Sequence, residues 1–235
     1  MSEAPPPGHL SVSSVLTYAR CPLAWRRRYV ERQAEPSSPA MSFGKAFALA
    51  LEAYHRGGDA ETVFARAHAE AGNAAPGAEH GLRLLDLYRS RFDLAGEPER
   101  RFSLYLPARD RVPVPIVGFI DLECESEVVE FKTSRNRWTQ ARADEAYQAA
   151  VYAWAFQQRH GRRPDHVRYL VFSTRAVEVQ EIVTHPGGDD LRLFELAAIA
   201  AWRGIVSRQF AGCGRCDVCK QSRPDTRRPG EVFSW

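Results

Sequence analysis

This chain of 235 residues has no long apolar run. That excludes a helix able to span a bilayer, which takes about 20 consecutive apolar residues. Its first residues, Met1 to Gly8, are Pro-rich and lack the basic-then-apolar order of a signal peptide, so a cytoplasmic location is expected. Internal repeats are absent, which excludes a solenoid or propeller array. An excess of one charge is nearly absent as well: 32 basic residues against 29 acidic ones leave +3. That balance permits a nucleic-acid partner without arguing for one, so the placement of charge matters more than its sum. Cysteine is scarce, at five residues, but three of the five stand together as Cys213, Cys216 and Cys219, with Cys21 and Cys124 elsewhere. In a reducing cytoplasm disulfides are not expected, and clustered thiols suggest metal or cofactor binding.

What is present suffices for a core: 44% of the chain is hydrophobic and 11% aromatic, in a length that suits one large domain or two small ones. Ser11 and Ser14 can cap a helix carrying Val15, Leu16 and Tyr18, and Cys21-Pro22 breaks it. Trp25-Arg26-Arg27-Arg28-Tyr29 is a basic run flanked by aromatics, either a solvated helix face with two core rings or a DNA contact. Residues 34–40 are Pro/Ser-rich and read as a loop. The spacing of Phe47, Leu51 and Tyr54 predicts a helix over 43–55, with two more near 59–71 and 79–94. Alternation predicts a strand over 101–106 and a hairpin over about 112–133. A polar loop, Ser134 to Ala141, leads into a helix over 142–160, on which Gln148 and Tyr152 share a face. Strands over 167–173 and 177–184 and a helix over 188–207 follow. From Phe210 onward lie the cysteine group and the basic residues Arg215, Lys220, Arg223, Arg227 and Arg228. This order predicts an α/β fold, a mixed sheet covered by helices.

The hairpin carries the chemistry. Its first strand holds Gly118-Phe119-Ile120-Asp121 and its second Val128-Val129-Glu130-Phe131-Lys132-Thr133. Side chains alternate faces in a strand, so Glu130 and Lys132 point one way and Phe131 the other. A turn at Glu125-Ser126 sets Asp121 opposite Glu130. Two carboxylates that close repel unless something cationic lies between them, and a divalent metal and the Lys132 ammonium are the candidates. The same register is expected to gather Ile116, Ile120, Leu122, Val129 and Phe131 on the opposite, apolar face.

The segment Cys213-Gly-Arg-Cys216-Asp-Val-Cys219 brings three thiols to regular spacing, one short of a full shell for zinc or a four-iron cluster. Cys21 is the fourth candidate, since Cys124 falls near the hairpin turn. Such a set staples the two ends of the chain together. Spacing leaves iron–sulfur and zinc both open.

Four local patterns, in order, resemble the PD-(D/E)xK nuclease superfamily in its RecB-like, Cas4-like exonuclease branch, over about residues 10–220. They are Leu10-Ser11 through Tyr18, Arg20, Cys21-Pro22 and Tyr29; Gly118-x-x-Asp121 with Glu130-x-Lys132; Gln148-x-x-x-Tyr152; and the C-terminal cysteines. The resemblance implies a restriction-endonuclease-like core in a single nuclease domain. Residues 1–9 would be a flexible lead, 10–100 a helical part, 101–185 the sheet and catalytic core, 186–209 a helix, and 210–235 a cluster segment and tail. It implies Mg²⁺ or Mn²⁺ held by Asp121, Glu130 and the Phe131 backbone carbonyl. Lys132 would act on the attacking water, and Gln148 and Tyr152 would position the lysine and DNA. Cys21, Cys213, Cys216 and Cys219 would bind a 4Fe-4S cluster, with Zn²⁺ the alternative, and Arg26 and Arg27 would contact DNA.

Two departures from the family pattern stand out. Ala48 occupies the place of a metal-binding histidine in Gly44-x-x-x-Ala48, leaving Glu52 or His55 as substitutes, and the last two cysteines are closer together than is usual in the family. The activity so implied is that of a metal-dependent exonuclease on single-stranded DNA or DNA ends, in repair, recombination or the processing of spacer or phage DNA. A helicase or integrase is the kind of partner expected, and with no helicase motif in the chain any unwinding must come from elsewhere. The rival is a DNA-binding or complex-assembly module with weak or lost catalysis, and a third reading is a zinc-stapled interaction domain.

Overall fold

A computed structural model describes residues 6–33, 37–72 and 74–221. Arg223, Arg227 and Arg228 lie outside the described residues, as do residues 1–5 and 34–36 of the expected lead and loop. The first helix, α1 (Val12–Arg20), begins in a reciprocal capping box. The Ser11 hydroxyl accepts the Ser14 amide, and the Ser14 hydroxyl accepts the Ser11 amide. Cys21 is extended and serves two helices at once, closing α1 and capping α2 (Pro22–Tyr29). Three helices follow: α3 (Pro39–His55), α4 (Ala60–Ala71) and α5 (Ala78–Arg91). The helix α3 starts four residues before the predicted boundary because Ser38 caps it and Pro39 suits its first turn.

The sheet holds β1 (Gly96–Leu104), β2 (Ile116–Cys124), β3 (Glu127–Ser134), β4 (His166–Ser173) and β5 (Val179–Thr184), in that spatial order. The β3–β4 pair is parallel and the others antiparallel, so the sheet is mixed as expected. The parallel pair requires a crossover, and α6 (Gln140–Asp144) and α7 (Tyr147–His160) provide it. The final helices are α8 (Gly188–Val206) and α9 (Asp217–Gln221). The predicted helix over 142–160 is therefore two, the first capped by Thr139 and closed by Glu145. The strand β1 begins at Gly96, five residues before the alternation that betrays it. Pro98 disguises this stretch as a loop, yet β1 is an edge strand, where a missing amide is tolerated.

Each face of the sheet has its own core. On one, Ile116, Ile120, Val128, Val167, Tyr169 and Val171 pack against α1, α7 and α8. On the other, Leu122, Val129, Leu170 and Phe172 pack against α3, α4 and α5, with Phe131 at the margin. The strand β4 alternates cleanly between the two, Val167, Tyr169 and Val171 against Leu170 and Phe172, which suits a strand buried on both sides. This corrects the single apolar face expected of the hairpin. Ile116 and Ile120 face α7, whereas Leu122, Val129 and Phe131 face α3. The reason is a break in β2 at Asp121. Arg100 pairs with Ile120 and Pro98 with Leu122, but Glu99 and Asp121 between them do not pair, and Glu99 has φ +51°. The register is the same on both sides of this step, and the change of face falls where the ladder is interrupted.

Candidate active site

The break in β2 builds the site. The hairpin turns at Glu125-Ser126 as expected, and Leu122 pairs with Val129 and Glu123 with Val128. Continued one step, that register sets Asp121 opposite Glu130, but there the strands part. The Phe131 amide donates to the Asp121 carboxylate at 2.8 Å instead of to a β2 carbonyl. Glu130 is 1% exposed. Its Oε1 accepts the Lys132 ammonium, while its Oε2 is buried with no hydrogen-bond partner among the described residues. An ionised oxygen so placed is costly unless a cation meets it.

Two glycines make the notch possible. A Cβ on Gly118 would stand 2.5 Å from the Phe102 ring, so only glycine lets that ring lie across β2. A Cβ on Gly44 would stand 2.7 Å from Thr133 Oγ1, so glycine seats α3 against the end of β3 beside Lys132. Ala48 and Glu52 continue the Gly44 face of α3 at intervals of one turn. Ala48 is exposed, and Glu52 accepts Arg56 Nε at 3.0 Å. His55 instead hydrogen-bonds the Tyr88 hydroxyl at 2.6 Å and stacks on Phe131, within the apolar face.

Sequence reasoning missed Glu99. It is half-buried, directly across the broken ladder from Asp121, and within the electrostatic reach of Glu52 and Glu130. It lies beside a proline and ahead of the strand expected over 101–106. Its place opposite Asp121 follows from the β1–β2 register, which no motif in the sequence marks.

The electrostatics are those of crowded acids. Burial, and then the Glu130 charge, push the Asp121 carboxyl well above the usual carboxylate range, although Lys132 and the Phe131 amide pull it down. Burial, and then Glu52 and Glu130, raise Glu99, with Arg56 giving partial relief. Burial alone would lower the Lys132 ammonium, but Glu130 and Asp121 outweigh it and hold the group above its ordinary value. Tyr152, on α7, is raised by burial and then by Glu130 and Asp121, so its hydroxyl keeps its proton. That hydroxyl accepts the Gln148 amide at 2.8 Å, and its ring meets Phe102 edge to face. Four carboxylates against Lys132 and Arg56 leave an excess of negative charge, and with the orphaned Glu130 oxygen they fit a divalent cation held by oxygen ligands.

The cysteine set converges as expected. Cys21, Cys213, Cys216 and Cys219 have all their sulfurs within 4.8 Å of one another, close enough to hold a metal, and none is in a disulfide. Arg26 is exposed and paired with Glu31 at 2.8 Å, and Arg27 is half-buried. Trp25, between them and the core, is buried against Tyr29 and Phe210.

A mixed five-stranded sheet flanked by helices, with an acid on β2 and Glu-x-Lys on β3, defines a restriction-endonuclease-like fold. The model of the PD-(D/E)XK nuclease superfamily matches residues 9–222, and the chain belongs to that superfamily. Among solved structures, a candidate exonuclease from Eubacterium rectale superposes with a TM-score of 0.70 at 13% identity, covering 96% of this chain and 91% of that one. The structure of SSO0001 aligns at a TM-score of 0.46 and 14% identity, over 94% and 88%. No curated protein matches the sequence. No helix of the described residues is long and apolar enough to cross a membrane.

Proposed function

We propose that this nuclease-superfamily protein hydrolyses DNA phosphodiester bonds, working from ends or along single strands as an exonuclease. The observation that carries the reading is the buried Glu130 Oε2, without a hydrogen-bond partner among the described residues and beside the Asp121 carboxyl. Asp121, Glu130 and the Phe131 carbonyl would hold Mg²⁺ or Mn²⁺, which supplies phosphate polarisation and a more acidic bound water. Glu99 and Glu52 supply further carboxylates where the family histidine is replaced by Ala48.

The roles of the remaining side chains follow from their surroundings. Lys132 stays protonated between two acids, so it serves as a fixed positive donor to charge developing on the phosphate, not as a base in the metal-free state. Glu130 Oε1 fixes where that ammonium points. Gln148 is half-buried on α7, where the covered Tyr152, itself within the field of Glu130 and Asp121, holds its amide. Arg26 and Arg27 offer phosphate contacts. The buried Trp25 leaves base stacking to other groups. Any duplex opening falls to a partner such as a helicase.

A second reading, a DNA-binding or assembly module with weakened catalysis, draws on the exposed Ala48. End-labelled single-stranded and duplex DNA incubated with Mn²⁺ decides between them. Cleavage abolished in both Asp121→Ala and Lys132→Ala supports the enzyme. DNA binding without any Mn²⁺-dependent cleavage supports the module. Cleavage unchanged in both variants removes the site assignment.

A further inference from the structure

We propose that Cys21, Cys213, Cys216 and Cys219 hold one mononuclear zinc ion in a tetrahedral four-thiolate shell, not an iron–sulfur cluster. Their sulfur separations are the ground for this. Cys216 and Cys219 sulfurs are 3.5 Å apart, Cys21 and Cys219 3.6 Å, and Cys213 and Cys219 3.9 Å, with every pair inside 4.8 Å. Four thiolates each about 2.3 Å from a central zinc stand about 3.8 Å from one another, by the geometry of a tetrahedron. In a four-iron cluster each thiolate binds a different iron corner, with bridging sulfides between, so the cysteine sulfurs stand roughly 6 Å apart. The observed set matches the first shell and is too tight for the second.

The chain holds that spacing firmly. Cys21 is wholly buried at the N-cap of α2, where its sulfur accepts the Ala24 amide at 3.5 Å. Cys219 is buried too, and Gly212 packs so closely that a Cβ there would lie 2.9 Å from the Cys219 sulfur. Gly214, at φ +77°, turns the chain between Cys213 and Cys216 so that backbone amides of Arg215 and Cys216 point at the Cys213 sulfur. Opening the four sulfurs to cluster spacing would move two buried side chains and this turn together. Thiolate sulfur disfavours hard divalent ions such as Mg²⁺ and Ca²⁺, and zinc outranks ferrous iron in intrinsic affinity for such a site. The centre would tie the start of α2 to the segment after α8, ends that α1 and α8 already bring together. Tyr18 lies over Gly204 and donates to the Gln209 carbonyl at 2.6 Å.

The full chain should be purified without oxygen from cells supplied with both iron and zinc, then assayed for metal, acid-labile sulfide and visible absorbance. The expected result is a colourless protein with about one zinc per chain and no sulfide. Cys216→Ser should lose that zinc. Cys213→His, at a partly exposed ligand, should keep it, because zinc accepts a three-cysteine, one-histidine shell. Cys124→Ser should bind as the parent does. Iron and sulfide in equal amounts with absorbance near 400 nm, roughly as a cysteine-ligated cluster gives, would overturn the proposal. So would one iron without sulfide, or a parent protein free of metal. None of these readouts depends on nuclease activity.

Discussion

Glu99 and Asp121 face each other across the one step of the β1–β2 ladder at which neither residue pairs, while Ile120 and Leu122 on either side pair normally. One carries the left-handed backbone and the other the carboxylate that captures the Phe131 amide. The break thus serves two ends. It swings β2 from one core to the other, and it frees Asp121 and Glu99 to address Glu130. Geometry and charge conflict there, and the conflict is testable.

Replacing Asp121 by Asn should stabilise the metal-free protein while removing catalysis. Asparagine keeps a carbonyl to accept the Phe131 amide and removes one of the crowded charges. A gain of about 1 kcal/mol is expected, which for a chain of this size is a rise in melting temperature of roughly 2–4 °C. Thermal unfolding in EDTA measures it. A variant that melts lower than the parent would contradict the repulsion argument.

The pH dependence of that stability has a defined sign. Asp121 and Glu99 both have folded-state values raised above their unfolded ones. Between those values the native state binds more protons, so stability falls as pH rises from about 4 through the raised range. Melting temperature in EDTA should decline across this window after subtracting the same profile for Asp121→Asn. Saturating Mn²⁺ should flatten or reverse the decline, because a bound cation favours the ionised acids.

Glu99 itself separates strain from charge. Glu99→Gln keeps the backbone conformation but weakens the acid cluster, and Mn²⁺ affinity by calorimetry should fall roughly 10-fold, as for other groups supporting a metal site. Glu99→Gly removes the acid and the left-handed penalty together, which is about 1 kcal/mol for a residue with a side chain. It should bind Mn²⁺ as weakly as the glutamine variant yet melt higher. Equal melting of the two would show that the backbone at 99 carries no penalty.

Much of this site was legible because its parts are local. Gly118-x-x-Asp121, Glu130-x-Lys132 and Gln148-x-x-x-Tyr152 each lie within one element, where a strand or helix period fixes relative direction. The hairpin turn at Glu125-Ser126, the capped start of α1, and the spacing of Cys213, Cys216 and Cys219 follow from short-range rules. What escaped was set by contacts between elements. The start of β1 was hidden because Pro98 is acceptable only on an edge, and edge status is a property of the whole sheet. The split of Ile120 from Leu122 falls at the unpaired step where Glu99, on the neighbouring strand, has a positive φ, a conformation that glutamate rarely adopts and no spacing announces. The pause between α6 and α7 at Glu145-Ala146 has no glycine or proline to mark it, and alanines on both sides carry the helical pattern across.

Gly118→Ala tests whether the motif glycine is there for packing. The added methyl would meet the Phe102 ring at 2.5 Å, and Phe102 is buried with its ring against Tyr152. Overpacking of this kind costs about 1–3 kcal/mol. The ring must shift, and Tyr152 with it, so the variant should lose stability and turnover together. A second change that makes room, Phe102→Leu, should recover part of both.

Tyr152→Phe isolates the last contact. The ring stays, so packing against Phe102 is kept, but the hydroxyl that holds Gln148 at 2.8 Å is gone. Because the hydroxyl is buried, its loss leaves a half-buried amide to find water and roam. Stability should change by only about 1 kcal/mol, the net worth of one hydrogen bond. If Gln148 acts on the phosphate or on Lys132 during bond breaking, kcat should fall by about 10-fold for the same loss of about 1.4 kcal/mol from the transition state, with KM nearly constant. Gln148→Ala should fall at least as far, and the double variant should fall no further than Gln148→Ala alone, since the tyrosine acts only through the amide. Additive losses would mean that Tyr152 reaches the reacting groups by another route.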